Sequence, residues 1–377
     1  MASQAESNMN QPLIYLVAGA RPNFMKIAPI VRALRARGQL RWKIVHTGQH
    51  YDREMNDVFF EELGIPAPDV QFEAGGKTHA QQTARIMLAF EELCERERPD
   101  CVLVVGDVNS TLACSIVAKK LNIAVAHVEA GLRSGDMSMP EEINRLVTDS
   151  ISDWFFVTEP SGMENLRHEG KPENRVFAVG HVMVDNLIFQ SAQLTSMDVA
   201  GFETTALKKR QSRYGVVTLH RPSNVDDPDA LRRIMTALNR VSREIALYFP
   251  THPRTRKKLA EFSIDVSDHI ELMAPQPYMS FLNLWKDAAV VLTDSGGLQE
   301  ETTALGVPCI TIRDNTERPV TVDEGTNSLA GTDTEKIVAL THQAISGHGK
   351  RGQRPQLWDG QAAFRIVDIL ARELKQR

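Results

Sequence analysis

Cysteine is scarce in this 377-residue chain, with four in all. Cys94, Cys101, Cys114 and Cys309 show no C-x-x-C spacing and lie in apolar or helical contexts. That predicts buried free thiols and excludes a structural zinc site, so no metal is expected. Long apolar runs are also missing. Leu13–Ala20 and Cys101–Gly106 are the longest near-apolar stretches, far short of the roughly 20 residues a membrane helix needs. There is no basic excess, since 43 Lys+Arg face 48 Asp+Glu for a formal charge of −5. This argues against a general binder of nucleic acid or anionic membrane, so an anionic ligand must be held by local charge. Met1–Pro12 lacks the basic start and apolar stretch of a signal peptide, and a cytoplasmic protein is expected. Fixed short repeats and low-complexity tracts are absent, which excludes solenoids and linker proteins.

What remains is a chain that is 42% hydrophobic and 24% charged, long enough for two globular domains. Short β-branched runs, Leu13–Val17, Lys43–Thr47, Cys101–Val105 and Ile123–Val128, each lead through a Gly-rich or polar turn into a helical pattern. This is the grammar of a parallel sheet. After the helical Val182–Leu194 comes Thr195–Arg213, rich in Ser, Thr, Lys and Arg without sustained periodicity, which reads as a linker or exposed connection. The grammar then restarts with strands at Tyr214–Leu219, Ile245–Phe249, Ile270–Leu272, Ala289–Thr293 and Cys309–Ile312. Two doubly wound α/β halves are expected, at 1–195 and 196–358. Gly360–Arg377, with Ala363, Ile366, Ile369 and Leu370 on one face, is expected to form a C-terminal helix over 359–377.

In such sheets ligands sit beyond the carboxyl ends of the strands, so the residues that follow each strand are the candidates. The first strand is followed by Gly19-Ala-Arg21-Pro-Asn-Phe-Met-Lys26, placing two cations at a helix start. There they oppose the macrodipole unless an anion binds, although solvated surface charges would read the same. No Rossmann G-x-G-x-x-G is present, which disfavours a nicotinamide cofactor. Asp107 and Glu129 each follow an apolar strand. Asp107 could cap the next helix; Glu129, with Gly131 two residues on, reads as a cleft residue. Glu141 sits in Pro140-Glu-Glu-Ile-Asn-Arg145, where helix first-turn chemistry also favours acids. In the second half His220 and Arg221 end a strand, a place where histidine is often structural. Thr293-Asp-Ser-Gly-Gly-Leu-Gln-Glu-Glu301 offers a Ser cap, two open glycine amides and a helix N-terminus for a phosphate; a bare tight turn is the alternative.

Together these elements, with His127-Val-Glu-Ala-Gly-Leu-Arg133 and Thr316-Glu-Arg-Pro319, closely resemble the non-hydrolysing UDP-N-acetylglucosamine 2-epimerases, in order from about Leu13 to the C-terminal helix. The resemblance implies the glycosyltransferase-B-like fold, two Rossmann-like domains facing a central cleft, with the C-terminal helix packing back on the first. It implies reversible conversion of UDP-GlcNAc to UDP-ManNAc for envelope polysaccharide, in a homodimer, with a UDP-sugar as partner and without cofactor. By this resemblance Asp107, Glu129 and Glu141 match the catalytic acids and His220, Arg21 and Lys26 the diphosphate side. Ser295, Gly296, Gly297 and Glu301 match the phosphate and ribose contacts, Gln276 and Phe281 the uracil-side segment, and Arg318 the Thr-Glu-Arg-Pro arginine.

Three departures stand out. Ala130–Pro140 is shorter than in the best-known bacterial members, and the placement of Glu141 depends on that loop. Pro222-Ser-Asn224 replaces an Arg and a Glu found there, and His46-Thr-Gly-Gln-His-Tyr-Asp52 differs from the corresponding stretch. In those members a second UDP-GlcNAc activates the enzyme, and the differences fall in segments resembling its contacts, which argues against carrying that activation over. The rivals are a UDP-2,3-diacetamido-hexuronate epimerase, a hydrolysing epimerase releasing ManNAc and UDP, a glycosyltransferase, and a nucleotide-sugar sensor. Thr316-Glu-Arg-Pro319 favours the GlcNAc branch. A glycosyltransferase would need an acceptor site and would leave the three acids unexplained.

Overall fold

A computed structural model describes residues 11–49, 57–76 and 78–376, so His50, Tyr51 and Asp52 lie outside the described residues. The chain divides into two compact units, residues 1–186 with 357–377, and residues 187–356. The division falls inside the continuous helix Val182–Ser196.

In the first unit the strands are β1 (Leu13–Ala18), β2 (Arg41–His46), β3 (Val70–Gln71), β4 (Cys101–Val105), β5 (Ala124–Val128), β6 (Trp154–Val157) and β7 (Val176–Ala178). Every pairing is parallel, in the order β3-β2-β1-β4-β5-β6-β7. The second unit has β8 (Tyr214–Thr218), β9 (Ala246–Pro250), β10 (Ile270–Met273), β11 (Val290–Thr293), β12 (Cys309–Thr311) and β13 (Asn327–Leu329). They pair in parallel as β10-β9-β8-β11-β12-β13, the same winding as in the first unit. Both units are thus Rossmann-like, the α/β class expected from the sequence. Strands buried on both faces read as unbroken apolar runs, and β4, Cys-Val-Leu-Val-Val, is buried along its whole length. The winding reverses between β1 and β4 and between β8 and β11, and these switch points open the crevices in which such sheets bind ligands.

Helix Pro228–Val241 shows how the layers form. Asp227 caps it by accepting from the Asp229 and Ala230 N–H groups, and Leu231, Ile234, Met235, Leu238 and Val241 form its buried stripe. Thr195–Arg213 corrects the expected linker. It contains helix Glu203–Arg210, which buries Thr204 and Leu207; the Asn283 amide donates to the hydroxyls of Thr204 and Thr205, and Lys208 donates to the Asn283 carbonyl. With so few buried apolar positions the helix leaves no periodic signal, and its docking is polar. Strands β3, β6, β7 and β13 add to those read from the sequence; each has four residues or fewer, too short to show a period.

The C-terminal helix Ala362–Lys375 packs on Arg21–Arg37 within the first unit. Its buried face is Ala363, Ile366, Val367 and Leu370; Val367 is buried where Ile369 was expected. Arg37 holds Asp368 through two bonds of 2.8 Å, and the indole of Trp358, edge-on to His181, donates to the Thr158 carbonyl at 3.3 Å. Buried Asp185 accepts from the Ala363 N–H at 2.7 Å. Burial pushes its carboxyl up to about 6, although the Ala363 and Ala362 N–H groups pull the other way. A raised carboxyl favours the folded state in its protonated form, so that stability is fully present below the unfolded value near 4 and is lost as pH rises through 6. Asp185→Asn is therefore expected to stabilise the protein by about 1–3 kcal/mol at pH 8 and by progressively less toward pH 4.5. Denaturant unfolding at the two pH values checks this, and an equal effect at both would exclude the ionisation as its cause.

All four cysteines are buried and form no disulfide; burial pushes the Cys94 thiol up to about 12 and the Cys309 thiol up to about 11, away from the range of a poised nucleophile. Among the described residues no helix is long and apolar enough to cross a membrane.

Candidate active site

In the first unit the candidates gather at the ends of β1, β4 and β5. Asn23 accepts from the N–H groups of Gly19 and Ala20 at 3.1 and 3.0 Å, closing the turn into helix Arg21–Arg37. The glycine at 19 makes room for protein: a Cβ there would stand 2.2 Å from Ser110 Oγ. Arg21 stacks over Phe59 at 5.0 Å. Lys26 lies further along the helix and places Nζ 2.6 Å from Glu129 Oε2. Gly106 is at φ +66°, a conformation that favours glycine, and a Cβ there would sit 2.8 Å from that same Nζ, so a side chain would push the lysine end aside.

Glu129 has φ +69°, one of few non-glycine residues in the left-handed region. Such a conformation costs energy, persists only where its surroundings over-determine it, and concentrates at functional sites. Asp107 is not a helix cap: helix Asn109–Lys120 begins after Val108 with no side-chain cap. Its carboxylate instead accepts from Arg145 at 2.5 Å, and its carbonyl from the Asn144 amide at 2.8 Å. Arg145 also donates to Glu142 at 2.9 Å, and Glu142 accepts from the N–H groups of Ser134 and Gly135 at 2.9 and 3.0 Å. Although burial opposes its ionisation, these bonds hold Glu142 below the usual carboxylate range. The side chain of Glu141, next to it and half-buried, makes no hydrogen bond or ion pair with the described residues.

The second unit places its candidates after β8 and β11. Fully buried Asp294 accepts from the N–H groups of His220 and Arg221, at 3.0 and 2.9 Å, and from the Asn224 amide at 3.2 Å. It also lies 2.9 Å from His220 Nδ1, and the imidazole is 49% exposed, so the ring is oriented yet available. Ser295 precedes helix Gly296–Leu305 with no side-chain cap bond, and a Cβ at Gly296 or Gly297 would meet nothing within 4 Å. The capping expected of Ser295 is absent, and the helix's first amides are sterically open to an anion.

His220, Gln276 and Phe281 line one cavity of about 210 Å³ with Thr218, Pro250 and His252. Gln276 is fixed by the Ser280 hydroxyl at 3.0 Å. Buried Glu301 accepts from the Tyr278 hydroxyl at 3.0 Å; burial and this carboxylate hold the phenol well above its usual range. Arg318 donates to Glu300.

The structure thus brings Lys26 and Glu129 together beside Gly106, and His220, Gln276 and Phe281 around one cavity. It does not join Glu141 or Arg21 to Asp107 by a bond. The residues that orient the candidates, Asp294, Arg145, Glu142, His127 and Asp149, were not singled out from sequence as site residues. Asp294, Arg145, Glu142 and His127 lie inside motifs that the sequence does present, and for Asp294 the signal available is a carboxylate directly after an apolar strand. Among the described residues no three His, Cys, Asp or Glu side chains gather as a metal site would require.

Comparison with known proteins sets this geometry in a family. The family described as UDP-N-acetylglucosamine 2-epimerase matches residues 32–371. The UDP-N-acetylglucosamine 2-epimerase of Methanocaldococcus jannaschii is 41% identical over 363 residues, covering 94% of this chain and 98% of that one. The UDP-2,3-diacetamido-2,3-dideoxy-D-glucuronate 2-epimerase of Pseudomonas aeruginosa is 40% identical over 364 residues, covering 95% and 99%. The crystal structure of the M. jannaschii UDP-GlcNAc 2-epimerase in complex with UDP-GlcNAc and UDP superposes with a TM-score of 0.82 at 40% identity, over 96% of this chain and 99% of that one. With a match of this extent and relatives of this identity along nearly their whole length, the chain belongs to the UDP-N-acetylglucosamine 2-epimerase family of isomerases.

Proposed function

We propose that this protein inverts C2 of UDP-N-acetylglucosamine reversibly, giving UDP-N-acetylmannosamine without net hydrolysis. The observation that carries the reading is the pair of carboxylates on the adjacent strand ends of β4 and β5, each held by its own cation: Asp107 by Arg145 and Glu129 by Lys26. Family membership, and a relative whose structure holds UDP-GlcNAc and UDP, support the substrate.

The chemistry requires such a site. No carbonyl neighbours C2, so its hydrogen is not acidic, and departure of the C1 oxygen must accompany its loss. In an anti elimination the C2–H electrons form the C1–C2 double bond of 2-acetamidoglucal, the C1–O bond breaks to UDP, and a carboxylate takes the proton. Delivery of a proton to the opposite face of C2, with UDP re-forming the C1–O bond, gives the epimer, so proton and diphosphate are conserved. Asp107, Glu129 and Glu141 serve jointly as acid and base groups, each positioned proton transfer contributing about 10²–10⁴-fold. His220, the Ser295 hydroxyl, the Gly296 and Gly297 amides, Arg21, Lys26 and Arg318 carry the diphosphate charge. Gln276 and Phe281 take the uracil and Glu301 the ribose.

A proton NMR time course in D₂O tests this. Deuterium at C2 together with UDP-ManNAc is the expected result. Free ManNAc and UDP accumulating instead would make the enzyme hydrolysing. The second reading, epimerisation of a UDP-2,3-diacetamido-hexuronate, draws on the 40% identity to the P. aeruginosa relative. Turnover of that sugar, with UDP-GlcNAc unchanged, would establish it.

A further inference from the structure

A fully buried carboxylate that the reaction does not touch lies below the ends of β4 and β5. Asp149, on helix Pro140–Ile151, places Oδ1 2.7 Å from His127 Nδ1, accepts at Oδ2 from the Gly131 N–H at 3.0 Å, and pairs with Arg133 at 2.8 Å. The His127 ring is buried, and its Nε2 lies 2.9 Å from the Gly106 carbonyl. Asp149 stays ionised: burial works against the charge, but His127, Arg133 and the Gly131 N–H together outweigh it. The Asp149 carboxylate and the Gly106 carbonyl face the two ring nitrogens of His127, so the imidazole is held at both ends between fixed acceptors. A buried charged pair of this kind is weak evidence for stability, since apolar packing does as well, and its retention calls for another reason.

The reason lies in what the pair grips. His127 is two residues before Glu129 and Gly131 two after, and Glu129 between them sits at φ +69°. Gly131 is itself at φ +80°, and a Cβ there would stand 2.3 Å from the Gly162 carbonyl. One carboxylate therefore clamps the strained segment on both sides of Glu129, while His127 ties it to the carbonyl of Gly106, the neighbour of Asp107. We infer that Asp149 is a positioning residue for the reaction, holding Glu129 and the Gly106–Asp107 turn in register through His127 and Gly131. The inference rests on the reading of Glu129 and Asp107 as proton-transfer groups.

The test uses the intact protein with Asp149→Asn. Asparagine still offers His127 an acceptor but turns an amide toward the Gly131 N–H and Arg133, breaking one half of the clamp. The expected result is a kcat for C2 deuterium exchange about 100-fold lower, the scale of a 1 Å misplacement, with KM and the UDP dissociation constant within about twofold. Hydrogen exchange at the amides of residues 129–131 rises, while exchange in the second unit is unchanged. An unaltered kcat in a folded variant overturns the inference, as does a kcat that falls only in proportion to folded protein. Should Asp149→Asn not fold, Arg133→Gln removes one Asp149 partner from the rim of the core and must lower kcat in the same direction, with KM retained. If the wild-type protein leaves UDP-GlcNAc unchanged, the proposed function fails. The clamp is then judged on the exchange of residues 129–131, and no local change there removes it.

Discussion

Asp107→Asn and Glu129→Gln each lower turnover of UDP-N-acetylglucosamine by about 10²–10⁴-fold, while UDP affinity changes by less than threefold. The substitutions are isosteric, so packing at the strand ends is retained and only the proton-transfer capacity and the charge are lost. Arg145 keeps Glu142 at 2.9 Å when Asp107 loses its charge, which limits the structural cost. In Glu129→Gln, Lys26 loses its 2.6 Å charge partner but has a side chain 16% exposed, so water can solvate it in part. A stability loss of about 1–3 kcal/mol is expected from a polar group left partly unpaired. Initial rates of C2 exchange with UDP binding measured in parallel decide the matter. A turnover within threefold of wild type would remove that residue from the chemistry, and a parallel loss of UDP binding would assign it to the diphosphate side.

Asp294→Ala has the largest expected effect on the second unit, a loss of about 2–5 kcal/mol, since it leaves several hydrogen-bond donors without their acceptor at about 1–3 kcal/mol for each one buried. Its carboxylate is inaccessible to solvent and collects the N–H groups of His220 and Arg221, the Asn224 amide and the His220 ring. These donors close the turn after β8 and lie beside the start of helix Gly296–Leu305. Without Asp294, His220 loses its orientation and the open helix terminus loses its neighbour, so UDP affinity falls together with stability. Asp294→Asn, which keeps acceptor capacity, is expected to lose less of both. Urea unfolding and UDP titration of the two variants check this, and wild-type values for the alanine variant would exclude Asp294 from either role.

The parallel winding was legible because its signal is local. Cys101–Val105 reads as a strand since burial on both faces demands unbroken apolar residues, and Tyr214–Leu219 reads as one through its β-branched Val216-Val217 pair. Helix Glu203–Arg210 was not legible, because its docking is polar, through Thr204, Thr205 and Lys208 to Asn283, and leaves no apolar stripe. Glu129 stood out as an acid directly after a buried strand, and its left-handed backbone gives it a physical mark that the sequence could not show. Gly19 makes room for Ser110, 91 residues away, a close approach with no trace in the local pattern. Glu142 and Glu141 are adjacent and alike in the sequence; helix phase buries the first against Arg145 and leaves the second half-buried, without a partner among the described residues.

By itself the sequence determined the class of sheet, the restart of the βα pattern at Tyr214 and the strand ends where polar residues cluster, because periodicity and turn chemistry act over a few residues. Tertiary structure decided which of those polar residues meet. Lys26 and Glu129 are 103 residues apart, Asp107 and Arg145 are 38 apart, and His220 and Asp294 are 74 apart. Only the parallel register that carries β4 beside β5, and β8 beside β11, brings such charges within bonding distance. The formal charge of −5 is the same in any conformation, but the pairing of its carboxylates with particular cations is a property of the fold.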